Sequence, residues 1–481
     1  MRLRTTTALA ALIAAGLTPL TLPSVAASAA SSAPSGLQED FNGDGYPDLA
    51  TAAYNTTVSG AKNAGAVVVD YGSSAGISAS RRTVVTQNAT GVPGTAESSD
   101  FFGSGLASGD LNNDGYADLV VGAPGEDVGD DTNGGTAVVI WGSAGGLSTG
   151  LTIGDPNTSG HDSFGQSLAV GDFSGDGKND LAIGSSGKDV WIHKGGFTKS
   201  AGASTRYKLT TAAQSGTNYG AESLDSGDVN GDGHDDLIVN GTYFPDSSHK
   251  YYATMVYVGS SSGLTFQNAL ESDKKSAVGD INGDGYDDLV TGAYWGGTGN
   301  NLGGSISTHL GSAEGIRAAA AQTIDQDTAG VPGEDESSDY FGYALSLGDI
   351  DGDGLADAAV SAFYESIGSA DLTGSVTVLR GTPTGLTADG SKSFHQDTAG
   401  VPGANEDNDH FGSAVQLSDL NGDGHADLSI GAQDENAGDG ALWSLRGSSS
   451  GITTSGALGF GASAAGLSTS GTPCLGSEML G

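Results

Sequence analysis

A nine-residue pattern with oxygen-bearing side chains at positions 1, 3, 5 and 9 and glycine at position 6 occurs seven times, and it constrains this chain more than any other feature. The copies start at Asp40, Asp110, Asp172, Asp228, Asp280, Asp349 and Asp419, at intervals of 70, 62, 56, 52, 69 and 70 residues. Repetition at this period marks a propeller or solenoid, in which each unit covers faces its neighbours would otherwise expose. In the first copy Asp40, Asn42, Asp44 and Asp48 offer side-chain oxygens, the carbonyl of Tyr46 adds another, and Gly45 permits a sharp turn. A hard cation such as calcium takes about six to eight oxygens at varied angles, which a short loop of this kind can deliver. The second copy offers Asp110, Asn112, Asp114, Tyr116 and Asp118, and the third Asp172, Ser174, Asp176, Lys178 and Asp180. The fourth offers Asp228, Asn230, Asp232, His234 and Asp236, and the fifth Asp280, Asn282, Asp284, Tyr286 and Asp288. The sixth has Asp349, Asp351, Asp353, Leu355 and Asp357, and the seventh Asp419, Asn421, Asp423, His425 and Asp427. Ser174 is a weaker oxygen and Asp351 an extra charge, so affinity for Ca2+ is expected to differ between copies.

Isolated matches to such a pattern are common in acidic turns, but seven in phase are not. An EF-hand or dockerin would set helices beside the loop and place a ligand at its twelfth position. Here strand-like apolar runs follow at once, such as Leu119-Val120-Val121. In the second repeat Phe102-Gly103 and Leu106 lead into Asp110, followed by Leu119 to Pro124, Gly135 to Gly142 and a further run around Leu151 to Ile153. Short β-rich runs between glycine turns read as four successive strands. The 81 glycines and 7% aromatic content suit many tight turns around thin strands, and no long helix is expected. The fold class is therefore all-β: a seven-bladed β-propeller with calcium-binding loops.

The elements Phe102-Gly103 and Gly122-Ala123-Pro124 resemble the FG-GAP repeat, the propeller repeat of integrin alpha-subunit head regions and of many secreted bacterial proteins. The resemblance runs from about Asp40 to the C-terminus. Its aromatic-glycine element recurs at Phe164-Gly165, Phe341-Gly342 and Phe411-Gly412, changes to Tyr219-Gly220, and is missing before Asp280, which leaves the fifth blade's first strand the least defined. The first copy has no such strand before its loop. Leu475-Gly476-Ser477-Glu478-Met479-Leu480 aligns with Phe102 to Ala107, so the C-terminal segment is expected to supply the first blade's inner strand, whereas Phe460-Gly461 fits the spacing poorly. Cys474 beside that junction reads as a small hydrophobe in a turn.

Residues 1–29 have the layout of a secretory signal: Arg2 and Arg4, an apolar run near Ala8 to Leu17, then small residues ending in Ala27-Ser28-Ala29. A leader over 30–39 and a propeller over 40–481 follow. The expected location is secreted and extracellular, with no membrane span and with a monomer as the working unit. Fifty-eight acidic against 18 basic residues give a net charge of -40, which excludes nucleic acid or anionic lipid bound through a basic surface. With Cys474 the only cysteine, no intrachain disulfide is available, and metal is the expected staple.

By analogy with integrins, ligand is expected on the face opposite the metal loops. Three near-identical loops enter the aromatic-glycine strands there: Gly91-Val92-Pro93-Gly94 to Asp100, Gly330-Val331-Pro332-Gly333 to Asp339, and Gly400-Val401-Pro402-Gly403 to Asp409. Glu97, Glu334, Glu336, Asp339, Glu406 and Asp409, joined by Glu126, Asp127, Asp130 and Asp131, are expected to project negative charge. A solvated rim that only keeps the protein soluble explains them as well. Tyr54, Tyr294, Trp295, Phe363 and Tyr364 stand at or beside the third Gly-Ala-Pro position, where they could stack on sugars or cations or simply pack on neighbouring loops. Gly72-Ser73-Ser74-Ala75-Gly76, Gly259 to Gly263 and Gly447 to Gly451 match G-x-S-x-G, but a nucleophile elbow needs a strand-to-helix turn, and no catalytic residue is assigned. The sequence thus favours a calcium-binding adhesion module for an extracellular protein or glycan. The alternative is a phospholipase-like or esterase-like secreted hydrolase on the same scaffold.

Overall fold

A computed structural model describes residues 37–480 other than 159, 217–219, 247–248, 274 and 296–302. The expected signal segment over 1–29 and most of the expected leader over 30–39, with Tyr219, lie outside the described residues.

Seven separate four-stranded antiparallel sheets form, and each is a meander of consecutive strands except the first. Blade 2 is typical, with strands Gly105–Gly109, Asp118–Ala123, Thr136–Ile140 and Gly150–Gly154. The seven inner strands line one central cavity of about 300 Å3, from Leu106-Ala107-Ser108 of blade 2 round to Met479-Leu480. That arrangement is a seven-bladed β-propeller. Among the described residues the one helix is the four-residue turn Glu435–Gly438, and no helix is long and apolar enough to cross a membrane.

Burial explains why the middle strands read as unbroken apolar runs. Both faces of Leu49–Ala53, Ala66–Asp70 and Asp118–Ala123 are covered by adjacent blades, so every residue in them is buried. The outer strand Arg206–Thr210 borders solvent, and there only Leu209 is buried. Blade 5 has an inner strand, Ser276–Gly279, despite lacking the aromatic-glycine element.

The two signature elements meet in space. A Cβ on Gly122 would lie 2.0 Å from the carbonyl oxygen of Gly165 at the entrance to the next blade, and the same approach occurs at Gly292 against Gly342 and at Gly431 against Gly476. Backbone meets backbone there, so only glycine fits. Phe164, Phe341 and Leu475 are fully buried beside these contacts, and Phe102 and Phe411 are buried at their own junctions.

Blade 1 takes its inner strand from Met479–Leu480, paired with Leu49–Ala53 at Ala50↔Leu480 and Thr51↔Met479. Leu475-Gly476 takes the part that Phe102-Gly103 plays in blade 2. Gly65 bridges Phe102 in parallel fashion and Gly440 bridges Leu475 in the same way, while Gly476 N–H donates to the Ala52 carbonyl at 3.0 Å as Gly103 N–H donates to that of Gly122 at 2.9 Å. Phe460-Gly461 instead ends the outer strand of blade 7, Thr453–Gly461, where the Arg82 guanidinium from blade 1 lies 3.9 Å above the Phe460 ring.

Two outcomes check this architecture. Leu475→Ala, which empties a fully buried position at the junction, is expected to cost roughly 2–5 kcal/mol by denaturant unfolding, and removal of 475–481 to leave an aggregating chain. Gly122→Ala is expected to cost roughly 1–3 kcal/mol or more, whereas Gly154→Ala, with nothing within 4 Å of its added methyl, is expected to be tolerated.

Candidate functional site

The seven acidic loops share one construction. The position-1 carboxylate receives the position-6 glycine N–H in every copy, from Gly45 on Asp40 at 2.7 Å to Gly424 on Asp419 at 2.7 Å. That turn requires a left-handed residue, and Gly45 stands at φ +92 and Gly285 at φ +85. The loops also interlock around the ring. At five junctions the position-1 carbonyl accepts the position-8 N–H of the next loop, as in Ala117 on Asp40 at 3.1 Å and Ala426 on Asp349 at 2.7 Å. Between the second and third loops the Asn179 side-chain amide donates to the Asp110 carbonyl at 3.4 Å, and at the first loop, where Pro47 has no N–H to give, Ser73 N–H instead donates to the Leu420 carbonyl at 3.1 Å, so the loops share one face.

Position 9 has a structural task of its own. Asp48, Asp118, Asp180, Asp236, Asp288, Asp357 and Asp427 are buried, and each Oδ1 accepts the N–H of the glycine just beyond its blade's third strand, between 2.6 and 2.9 Å. In five copies Oδ2 accepts the N–H of position 2, as Phe41 donates to Asp48 at 2.9 Å. Burial pushes these carboxyls up, to about 8 at Asp48, about 7 at Asp118 and Asp236 and about 6 at the others. Position 2 itself is an apolar anchor that the sequence reading passed over: Phe41, Leu111, Phe173, Val229, Ile281, Ile350 and Leu420 are all buried. Its signal was an apolar residue at that place in all seven copies.

The donor set suits a hard cation most plainly in the sixth loop, where carboxylate oxygens of Asp349, Asp351 and Asp353 lie within 4.8 Å of one another. Asn42, Asn112 and Asn421 direct their amide nitrogens at the position-9 carboxylates, which leaves the amide oxygen as the donor a metal could use. Basic side chains approach several loops: Arg81 on Asp44 at 2.6 Å, Lys199 on Asp114 at 2.9 Å and Arg380 on Asp351 at 2.9 Å.

The opposite face follows from strand direction. Each position-9 aspartate opens or directly precedes its blade's second strand, and the aromatic positions follow that strand's other end. In blade 6, Asp357–Ala362 separates Asp357 from Phe363 and Tyr364, which puts them about 20 Å apart. On this face Tyr294, Trp295, Phe363 and Tyr364 come together around a cavity of about 400 Å3, along with Tyr252, Asp273, Tyr340, Tyr343, His410, Gln433 and Asp434. Tyr340 and Tyr364 rings are 4.7 Å apart, Trp295 and Tyr340 5.5 Å, Tyr343 and Phe363 4.1 Å, and Phe363 and His410 4.5 Å. Trp295 is 66% exposed at the rim, while burial holds the Tyr294 phenol well above its usual range. Tyr54 is not in this group; it meets Phe101 at 6.4 Å, in the equivalent place between blades 1 and 2.

Tyr340 and His410, not singled out from sequence, sit just before their Phe-Gly elements with φ +60 and +56. Phe101, Ser163 and Cys474 hold the same left-handed position. Non-glycine residues pay strain there, and the conformation is repeated by the fold rather than by any side chain, so no residue type announced it. Cys474 is buried and its sulfur accepts from the Asn55 amide at 3.3 Å.

The acidic loops differ from expectation. Asp100, Asp339 and Asp409 do not project; they are buried, and each carboxylate accepts the N–H of the residue three before it, Glu97, Glu336 and Glu406, at 2.6 to 2.8 Å. The loop's own donors pull them inward, and desolvation pushes Asp339 to about 7. Glu126 is half-buried as well, receiving the Gln87 amide at 2.6 Å, with the same bond repeated from Gln326 to Glu365 and from Gln396 to Glu435. Glu97, Glu334, Glu336, Glu406, Asp127 and Asp130 remain exposed, and Asp131 is partly so. The G-x-S-x-G segments are strand-to-strand turns: Ser73 Oγ donates to the Gly76 carbonyl at 2.7 Å, and Ser260 and Ser448 repeat the bond to Gly263 and Gly451.

Comparison with known proteins accords with this geometry. The FG-GAP repeat matches residues 34–70, 102–140, 275–308, 341–379 and 411–445, and the FG-GAP-like repeat matches 172–239. Integrin alpha pat-2 of Caenorhabditis briggsae is 28% identical over 245 residues, 46% of this chain and 19% of that one. Integrin alpha-PS2 of Drosophila melanogaster is 31% identical over 225 residues, 42% and 15% of the two chains. Phosphatidylinositol-glycan-specific phospholipase D of Rattus norvegicus is 36% identical over 149 residues, 30% and 17%. Each match thus spans under a fifth of the relative. Repeats matched along the ring, Phe-Gly and Gly-Ala-Pro elements in mutual contact and integrin alpha chains as relatives together place this chain in the FG-GAP repeat family, with an integrin-alpha-like propeller.

Proposed function

We infer that the chain is an extracellular binding or adhesion module for a protein or glycan, stabilised by Ca2+ in its acidic loops, with ligand docking on the aromatic face. The observation that carries this reading is the gathering of Tyr294, Trp295, Tyr340, Tyr343, Phe363 and Tyr364 from two blades around one open cavity. Exposed rings lose little entropy on binding and supply much contact area, which is why they dominate recognition surfaces. Integrin alpha chains among the relatives support adhesion. The hydrolase reading draws on the phospholipase relative alone, and Ser74, in an exposed strand-to-strand turn, gives it no nucleophile of recognisable geometry.

Calcium has a physical task in this reading. The loops concentrate seven position-1, seven position-5 and seven position-9 aspartates plus Asp351, whose mutual repulsion a bound cation relieves, and a metal held only by the folded chain raises stability by mass action. A site at 100 times its Kd contributes about 2.7 kcal/mol. Addition of EDTA is expected to lower the melting temperature, and elemental analysis to find calcium in the untreated protein. An unchanged melting curve would remove metal from the account.

Ligand docking is checked by screening glycans, cell-wall components and extracellular proteins. The double variant Trp295→Ala, Tyr364→Ala is expected to weaken any hit by about 10-fold or more, with melting temperature and calcium content retained. Turnover of an ester or phosphodiester that Ser74→Ala abolishes in a folded protein would favour the hydrolase instead.

A further inference from the structure

The geometry points to a small organic cation, a quaternary or alkylated ammonium group, as what the aromatic cavity takes; this rests on reading that cavity as the binding site. Its walls are rings set at angles to one another, with Trp295 at 46° to Tyr340, Tyr340 at 41° to Tyr364 and Tyr364 at 56° to His410. Tilted rings enclose a rounded group, whereas a sugar is held against a single flat face. Ring faces carry negative potential and attract a cation most strongly where water is excluded.

The polar groups point the same way. Asp273 Oδ2 accepts the Trp295 N–H at 2.5 Å and Asp434 Oδ2 pairs with His410 Nδ1 at 2.7 Å, so both carboxylates steady the aromatic walls. Both also bring carboxylate oxygens to the cavity wall. Among the described residues no lysine or arginine lines it, and Lys275, two residues beyond Asp273, has its Nζ 3.6 Å from Glu478 at the central channel. A ring-walled cavity that carries two carboxylates and, among the described residues, no lysine or arginine disfavours anions. A trimethylammonium group needs no hydrogen bond at all. The net charge of -40 adds long-range attraction for cations.

Calorimetric titration of the full chain in calcium-containing buffer at constant ionic strength tests this, with choline chloride against its uncharged isostere 3,3-dimethyl-1-butanol. Choline is expected to bind at least about 10-fold more tightly than the isostere, and Trp295→Ala and Asp434→Asn each to weaken it several-fold without changing the melting temperature. Phosphatidylcholine vesicles distinguish the source: co-sedimentation assigns a lipid headgroup, and titration by choline without it assigns a soluble compound. Equal affinity for choline and the isostere, binding of neither, or choline affinity indifferent to Trp295→Ala would each overturn the cation. If choline fails while Trp295→Ala still abolishes a glycan or protein hit, the cation falls and the binding face stands. If no ligand of any class responds to Trp295, both fall.

Discussion

A buried aspartate at the head of each blade carries this fold. In every copy one carboxylate oxygen holds the glycine bend 15 to 24 residues on, and in five copies the other holds the acidic loop through the position-2 N–H. Burying a carboxyl is costly unless its oxygens are matched by donors, and backbone N–H groups at fixed places provide them. The bond joins the start of the second strand to the bend after the third, at one end of the blade, so loop and sheet cannot move apart independently. A cation bound beside it would be held by a frame that already exists, while easing the repulsion among the position-1, position-5 and position-9 carboxylates.

The ring is sealed by a different device. At three junctions blade meets blade through glycine against glycine, beside a buried Phe164, Phe341 or Leu475, and the approach there is too close for any side chain. The family signature is therefore a description of an interface rather than of a strand. Departures mark where the repeat is being used. Blade 4 extends its middle hairpin, Asp236–Asp246 and His249–Val258, far beyond the others, and Tyr252 from that extension reaches the aromatic cavity. Blade 6 places rings both at the left-handed position, Tyr340, and after the second strand, Phe363 and Tyr364, while blade 5 adds Tyr294 and Trp295 after its second strand and blade 7 adds His410; blade 3 has Ser163 and Ser186 in those places.

The architecture was legible because seven loops in phase with strand-length apolar runs admit few folds, and the strand Met479–Leu480 was legible because the count of inner strands came out one short. The site was legible in part. Tyr294, Trp295, Phe363 and Tyr364 stood out as large residues at a turn position where small ones are usual. Tyr340 and His410 did not, since what brings them to the cavity is a backbone conformation imposed by the following Phe-Gly, invisible in residue type. Asp339 was misread for the reverse reason: charge in a loop suggests solvent, but a carboxylate three residues after a free backbone N–H folds back to accept it. The position-2 apolar residues carry no side-chain oxygen, so a pattern defined by metal donors does not select them.

The closing strand has a consequence in time as well as space. A chain made from its N-terminus produces the middle strands of blade 1 first and their inner partner last, after every other blade. Throughout synthesis the edge of Leu49–Ala53 stays open, a row of unpaired backbone groups next to a growing set of sheets. The molecule therefore cannot acquire its ring piece by piece; it becomes circular in one late event, and any shortened product remains an arc with two sticky ends.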